Sequence, residues 1–218
     1  MHRYFVTGTD TDVGKTRVTA ALALALKRTG LLPTIVKVVQ TGLARDAPGD
    51  AVRAGELAGV RHVELARFEK AADPWTAALA SGSMEVHARD LADAMAPIER
   101  GLVAEGAGGI MVPLNSREHF GHVAQIAKLE IVVAVGLRLG CLNHTMLTLA
   151  VCEQMGLRVA GALLVERFGP TAESYHGDVV RALQGKLKIF GILPFAADEA
   201  ASVEHASRLF DTLASMRG

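Results

Sequence analysis

The strongest constraint on this chain lies near its start. An apolar run, Tyr4–Thr7, ends in Gly8-Thr-Asp-Thr-Asp-Val-Gly14-Lys15-Thr16 and passes at once into an amphipathic run, Lys15–Arg28. Strand, glycine-bearing loop and helix in that order make a phosphate cradle, because the free N–H groups of the helix start and its dipole both favour an anion. Lys15 adds a point charge for the terminal phosphates, and the Thr16 hydroxyl suits Mg2+. The pattern is Gly-x5-Gly-Lys-Thr, one residue longer than the usual spacing. An ordinary glycine turn has no need of Lys-Thr at the strand–helix junction.

The rest of the chain repeats the alternation. Strands are predicted at Tyr4–Thr7, Ile35–Val39, Leu102–Glu105, Ile131–Gly136, Val159–Val165 and Ile189–Leu193. Most are continuous apolar runs, as in parallel strands buried on both faces. Helices are predicted at Lys15–Arg28, Asp50–Leu57, Ala88–Ala96, Asn143–Met155, Thr171–Leu183 and Ala200–Met216, while 119–128 resists assignment. The expectation is an α/β fold, a doubly wound, mostly parallel sheet with helices on both faces, in a single domain over residues 1–218. Ligands of such sheets bind at the carboxyl ends of the strands, so chemistry is sought where each strand stops.

Composition narrows the function classes. Lys+Arg and Asp+Glu both number 23, and this zero balance argues against nucleic-acid binding. No apolar run approaches the ~18 residues of a membrane span, and no signal peptide precedes the first strand. A cytoplasmic protein is expected. Cys141 and Cys152 match neither a zinc cluster nor a redox pair and read as reduced thiols. His119 and His122 lack a third ligand nearby and read as surface or loop histidines; Trp75 reads as core or pocket wall.

Two carboxylates and a second lysine stand at strand ends. The third predicted strand ends in Glu105-Gly-Ala-Gly-Gly109, and an unpaired acid buried there is costly. Asp50 heads a helix after the polar loop 42–49; capping that helix is its alternative role. Mg2+ prefers a few protein oxygens completed by water and phosphate, and Thr16, Asp50 and Glu105 would suffice. Lys37 lies inside an apolar strand, where it needs an anionic partner or a route to solvent.

Four segments, GTDTDVGKT, KVVQTG, EGAGG and LGCLNHTMLT, follow one another in the order and at the spacing of the dethiobiotin synthetase family, which the chain resembles from about residue 3 to residue 195. The resemblance implies a P-loop ligase that uses Mg2+, ATP and CO2 to close a cyclic urea on 7,8-diaminopelargonate. One amine captures CO2 as a carbamate, ATP phosphorylates it, and the second amine attacks the mixed anhydride. It implies that Lys15 and Lys37 are catalytic and that Thr11 and Thr41 hold carbamate and phosphate oxygens. It implies nucleotide contacts from Asp12, Val13, Gly14, Lys15, Thr16, Arg17, Asp50, Glu105, Gly106, Ala107, Gly108, Val165, Glu166, Pro194, Phe195 and Ala196. Cys141, Leu142 and Asn143 would bind the tail carboxylate of substrate held mainly by the other subunit of a homodimer; Asn143 capping the helix is the simpler alternative.

The sequence also departs from the family. Val38 replaces a proline, Asp12 a glutamate, and Asp73-Pro-Trp-Thr-Ala-Ala-Leu a Ser-Pro-His stretch at the diamine pocket. His122 takes the place of an acid, and Val165 that of an adenine-reading Asn. Valine offers a purine edge neither donor nor acceptor, which predicts relaxed base selectivity. Two other readings compete: an amide-forming ligase of the same P-loop class, and a partitioning or regulatory ATPase. The first carries an amidotransferase domain with no room here. The second often has another lysine near the loop start, where positions 9–13 are Thr-Asp-Thr-Asp-Val.

Overall fold

Alternation of side chains along buried strands decides the architecture. In β1 (Arg3–Gly8), Phe5 points into one apolar core while Tyr4 and Val6 point into another. In β7 (Glu130–Gly136), Ile131, Val133 and Val135 join the first core and Val132 and Ala134 the second. Strands apolar on both faces must be covered on both. The computed structural model, which describes residues 2–167, 169 and 171–215, shows that cover.

The remaining strands are β2 (Thr34–Lys37), β3 (Gln40–Thr41), β4 (Arg61–Glu64), β5 (Arg67–Phe68), β6 (Leu102–Glu105), β8 (Val159–Val165) and β9 (Ile189–Leu193). The helices are α1 (Lys15–Arg28), α2 (Asp50–Ala58), α3 (Pro74–Ala80), α4 (Ala88–Met95), α5 (Phe120–Ile126), α6 (Cys141–Gln154), α7 (Glu173–Leu183), α8 (Glu199–Leu209) and α9 (Asp211–Ser215). A seven-stranded sheet runs β4-β2-β6-β1-β7-β8-β9, and β3 pairs with β5 apart from it. The pairs within the large sheet are parallel. Helices α1, α2, α8 and α9 cover one face; α3 to α7 cover the other.

The doubly wound parallel sheet is as expected, with additions. Edge strand β4, sequence RHVE, is polar and half-exposed, so no apolar run announces it. Residues 119–128 contain α5. The helix expected from Asn143 begins at Cys141, because Gly140 takes the capping position with φ 92°. The helix expected over 200–216 is two, α8 and α9, separated at the fully buried Phe210; Met216 lies outside the described residues.

Register then sets the site. Lys37 is level with Glu105 across β2 and β6, and Val6 is level with Glu105 across β1 and β6. The phosphate loop, Lys37 and Glu105 therefore emerge side by side at one end of the sheet.

Candidate active site

Each side chain at this end is aimed by local backbone. Gly14 caps α1 in the left-handed region (φ 91°), and a Cβ there would lie 2.9 Å from Val165 Cγ1. Glycine is thus required twice, by conformation and by space. Asp12 is also left-handed (φ 56°), a region that Asp tolerates better than most residues. The short acid at this position therefore suits the loop's backbone. Lys15 donates to the Asp10 carbonyl at 3.1 Å, folding over the loop it follows.

Lys37 is buried and touches two acids. Its Nζ lies 2.6 Å from Asp50 Oδ2 and 2.7 Å from Glu105 Oε1, and donates to the Gly106 carbonyl at 3.2 Å. The Thr16 hydroxyl donates to the same Glu105 oxygen at 3.2 Å. Asp50 is free for this role because Gly49, not Asp50, caps α2. Burial pushes the Lys37 ammonium toward neutrality, but Glu105 and Asp50 outweigh it and hold its pKa above the ordinary lysine value. Burial depresses the Lys15 pKa, opposed by Glu105, reinforced by the Lys37 charge, and opposed again by Asp50 and Asp12. Buried Lys15, Lys37 and Glu105 thus share one corner with the half-exposed Asp50, and removing one of the buried partners strands its opposite.

Among the described residues no group of three or more His, Cys, Asp or Glu side chains gathers as a metal site. Thr16, Asp50 and Glu105 nevertheless converge, since one ammonium reaches both acids and Thr16 bonds to one of them. Three hard oxygens beside a phosphate cradle fit Mg2+, which completes its octahedron with phosphate and water.

These groups line a cavity of about 270 Å3 together with Thr11, Asp12, Gly14, Arg17, Thr41, Ala107 and Gly108. Sequence reasoning missed Gln40, Leu43, Arg53, Arg167 and Glu199 on its walls. Gln40 left a faint trace as the polar residue ending KVVQ; it accepts from the Asp50 N–H at 3.0 Å and so sets the start of α2. Beside this cavity a second one, about 440 Å3, shares Thr11, Thr41, Ala107 and Gly108 and is closed by Gly42, Ala71, Ala72, Asp73 and Val112.

Other expected residues sit elsewhere. Val13 is buried, and Gly106 lies where a Cβ would meet the Phe5 ring at 2.9 Å. Val165 is fully buried beneath Gly14. Glu166 is buried too, accepting from the Thr171 N–H and hydroxyl at 2.7 Å, His176 at 2.9 Å and the Phe195 N–H at 3.0 Å. Burial alone would raise its pKa, but Thr171, Phe195 and His176 bring it down to about 2. Glu166 therefore ties the loop after β8 to the loop after β9. Pro194 and Phe195 are exposed on that loop, with Ala196 beside them.

Cys141, Leu142 and Asn143 form the first turn of α6. Cys141 is buried, its Sγ 3.3 Å from the Tyr175 hydroxyl, and Asn143 is exposed within the helix instead of capping it. These three do not line the cavity; α6 reaches the phosphate loop through a smaller groove lined by Gly8, Thr9, Met111, His144, Leu147 and Thr148. His119 and His122 are not loose loop side chains. They form a reciprocal capping box at the start of α5: His119 Nδ1 accepts from the Gly121 N–H and His122 Nδ1 from the His119 N–H, both at 3.1 Å.

Similarity to known proteins gives the family. A family profile described as an AAA domain matches residues 2–201. An ATP-dependent dethiobiotin synthetase from Rhodococcus jostii is 41% identical over 165 residues, 73% of this chain and 71% of that protein. Another from Nitrosospira multiformis is 32% identical over 217 residues, 95% of this chain and 94% of its own. The chain belongs to the dethiobiotin synthetase family. Among solved structures, the septum site-determining protein MinD of Pyrococcus horikoshii, complexed with Mg-ADP, aligns with a TM-score of 0.60 at 17% identity. That alignment covers 100% of this chain and 99% of MinD and establishes a common fold.

Proposed function

We propose that this protein is a dethiobiotin synthetase in action as well as in descent. It would join CO2 to 7,8-diaminopelargonate at the expense of ATP, closing the ureido ring and releasing ADP and phosphate in biotin biosynthesis. The observation that carries the reading is Lys37, a buried ammonium lining the phosphate-loop cavity and held by Asp50 and Glu105.

The larger neighbouring cavity suits the diamine, since it opens off the phosphate site through Thr11 and Thr41. Thr41 and Thr11 would donate to carbamate oxygens. Lys15 would hold the terminal phosphates and Lys37 the charge that develops between carbamate and phosphoryl group; such preorganised charge needs no rearrangement during reaction. Thr16, Asp50 and Glu105 would hold Mg2+, which neutralises phosphate charge when bound. Two cavities that share Thr11 and Thr41 would set the reacting groups side by side, and this positioning would be the protein's main contribution.

The reading includes a homodimer. Met111, Met146 and Leu147 are largely exposed, and Leu147 and Met111 line the groove touching Gly8 and Thr9 of the phosphate loop. A second copy seated there would cover apolar surface and bring the α6 start close to its neighbour's substrate. We place the protein in the cytoplasm; among the described residues no helix is long and apolar enough to cross a membrane. The deciding experiment incubates the protein with diamine, bicarbonate and Mg-ATP and looks by mass for the cyclic urea. ATP turnover that ignores the diamine, or answers to DNA or a partner protein, would reject the ligase reading.

A further inference from the structure

The nucleotide cavity has two chemically different ends. At the inner end, Lys15 and Lys37 are matched by Asp50 and Glu105. The outer end is lined by Arg17, Arg53, Arg167 and Glu199. Among the described residues only Arg53 is paired there, its Nη2 2.6 Å and its Nε 2.9 Å from Glu199 Oε2. Arg17 is buried, and its side-chain partner is the Ser202 hydroxyl at 3.4 Å. Among the described residues neither Arg17 nor Arg167 enters an ion pair. Burial, Arg167 and Arg53 all depress the Arg17 pKa against the pull of Glu199, so this guanidinium is held where a cation is poorly served until a ligand arrives.

If phosphates lie on the loop and the diamine fills the cavity beyond Thr11 and Thr41, the nucleoside must leave toward the arginines. The side chains left free to meet it there are donors. Guanidinium groups donate and never accept. The nearby carboxylates are spent: Glu166 accepts four hydrogen bonds from the protein, Glu199 holds Arg53, and Asp198 caps α8 through the Ala201 N–H. Val165 is buried and apolar. Adenine presents an exocyclic amine that needs an acceptor, whereas guanine presents O6 and N7, an acceptor pair that a guanidinium fork matches. Cytosine and uracil also carry carbonyl oxygens.

Building on the nucleotide reading above, we propose that Arg17 and Arg167 are specificity-determining residues that read hydrogen-bond acceptors at the nucleoside end. The site then takes carbonyl-bearing bases at least as tightly as adenine. This goes further than relaxed selectivity, which the loss of a reading side chain would give by default. Here the guanidiniums supply a positive interaction that adenine uses least.

The test is displacement of a fluorescent triphosphate from the Mg2+-supplemented protein by ATP, GTP, CTP and UTP. Diamine and bicarbonate are omitted, so failure of the proposed ligase reaction leaves the readout untouched. GTP, CTP and UTP should displace at concentrations equal to or below that of ATP. Arg167→Ala and Arg17→Gln should each weaken GTP binding roughly 5- to 150-fold, the span of one good bidentate contact, and weaken ATP binding less. Arg167 is exposed, so its variant keeps the test decisive even if the buried Arg17 change disturbs folding. A preference for ATP of about tenfold or more, or equal losses for all four nucleotides in the Arg167 variant, would overturn the proposal. Displacement by none of the four would overturn it together with the nucleotide reading.

Discussion

At the residue scale, the site depends on charges that cannot be removed singly. Lys37 reaches Asp50 and Glu105 within 2.7 Å and would meet charge that appears only as the phosphoryl group moves. Interactions made in the transition state raise turnover, not ground-state binding. Lys37→Ala should therefore lower kcat by at least ~100-fold and leave ATP binding within a few-fold; steady-state kinetics beside a direct binding titration separate the two. Near-normal turnover would remove Lys37 from the chemistry. Glu166 gives a pH prediction of definite sign. Its folded pKa, about 2, lies below the usual carboxylate value, so its contribution is complete above roughly pH 4.3 and is lost as pH falls toward 2. Between pH 5 and pH 3 the wild type should lose more urea resistance than Glu166→Gln. Parallel losses would show that Glu166 is not ionised and bonded as described.

At the element scale, α5 carries the clearest dependence of structure on protonation. Its capping box needs Nδ1 of both His119 and His122 as acceptors, and a protonated imidazole accepts nothing. The same helix start is stitched to the loop after Glu105, with the Phe120 N–H on the Val112 carbonyl and the Gly121 N–H on the Ile110 carbonyl. Burial lowers the His119 pKa, the His122 charge lowers it further, and the Ile110 carbonyl partly opposes. A histidine depressed in the fold gives stability that is full above its unfolded value, about 6.5, and is lost as pH falls from there through its lower folded value. His119→Asn keeps a capping acceptor without a titrating group. It should shrink the fall in Tm between pH 7.5 and pH 5.5, by an amount set by a cap worth roughly 0.5–2 kcal/mol. An unchanged pH dependence would separate α5 from the acid response.

At the scale of the whole molecule, exposed Leu147 of α6 and exposed Met111 line a groove that reaches Gly8 and Thr9 of the phosphate loop. Large apolar side chains grouped beside a functional groove mark contact surfaces more often than chance exposure. A closed dimer repeats its patch across a two-fold axis, so one charge introduced into the patch faces its own copy. Wild type should sediment as a dimer at micromolar concentration, and Leu147→Glu should shift it toward monomer with loss of diamine affinity. A wild-type monomer with full substrate affinity would sink the shared-site arrangement.

The sequence alone determined the alternation of the main buried strands with helices, short of β3, β4, β5, α3 and α5, and pointed to the inner half of the candidate site. Both are written locally: apolar runs without alternation mean strands buried twice, and Gly14-Lys15-Thr16 needs only its own strand and helix. Lys37 and Glu105 were legible because a charge inside an apolar run demands a partner, although only parallel register showed that they partner each other. Tertiary structure decided what depends on meetings between distant segments. The polar edge strand β4 forms because β2 offers it hydrogen bonds. The histidine capping box resembled a loose pair until α5 existed around it. Arg53, Arg167 and Glu199 come from separate stretches that no spacing rule links, and Val165 lies under Gly14, not at the cavity, because register between β7 and β8 carries it there. Backbone propensity and burial act over a few residues and leave a readable pattern. Charge complementarity at a cavity mouth acts through space between folded segments, so it appears only once the fold has placed them.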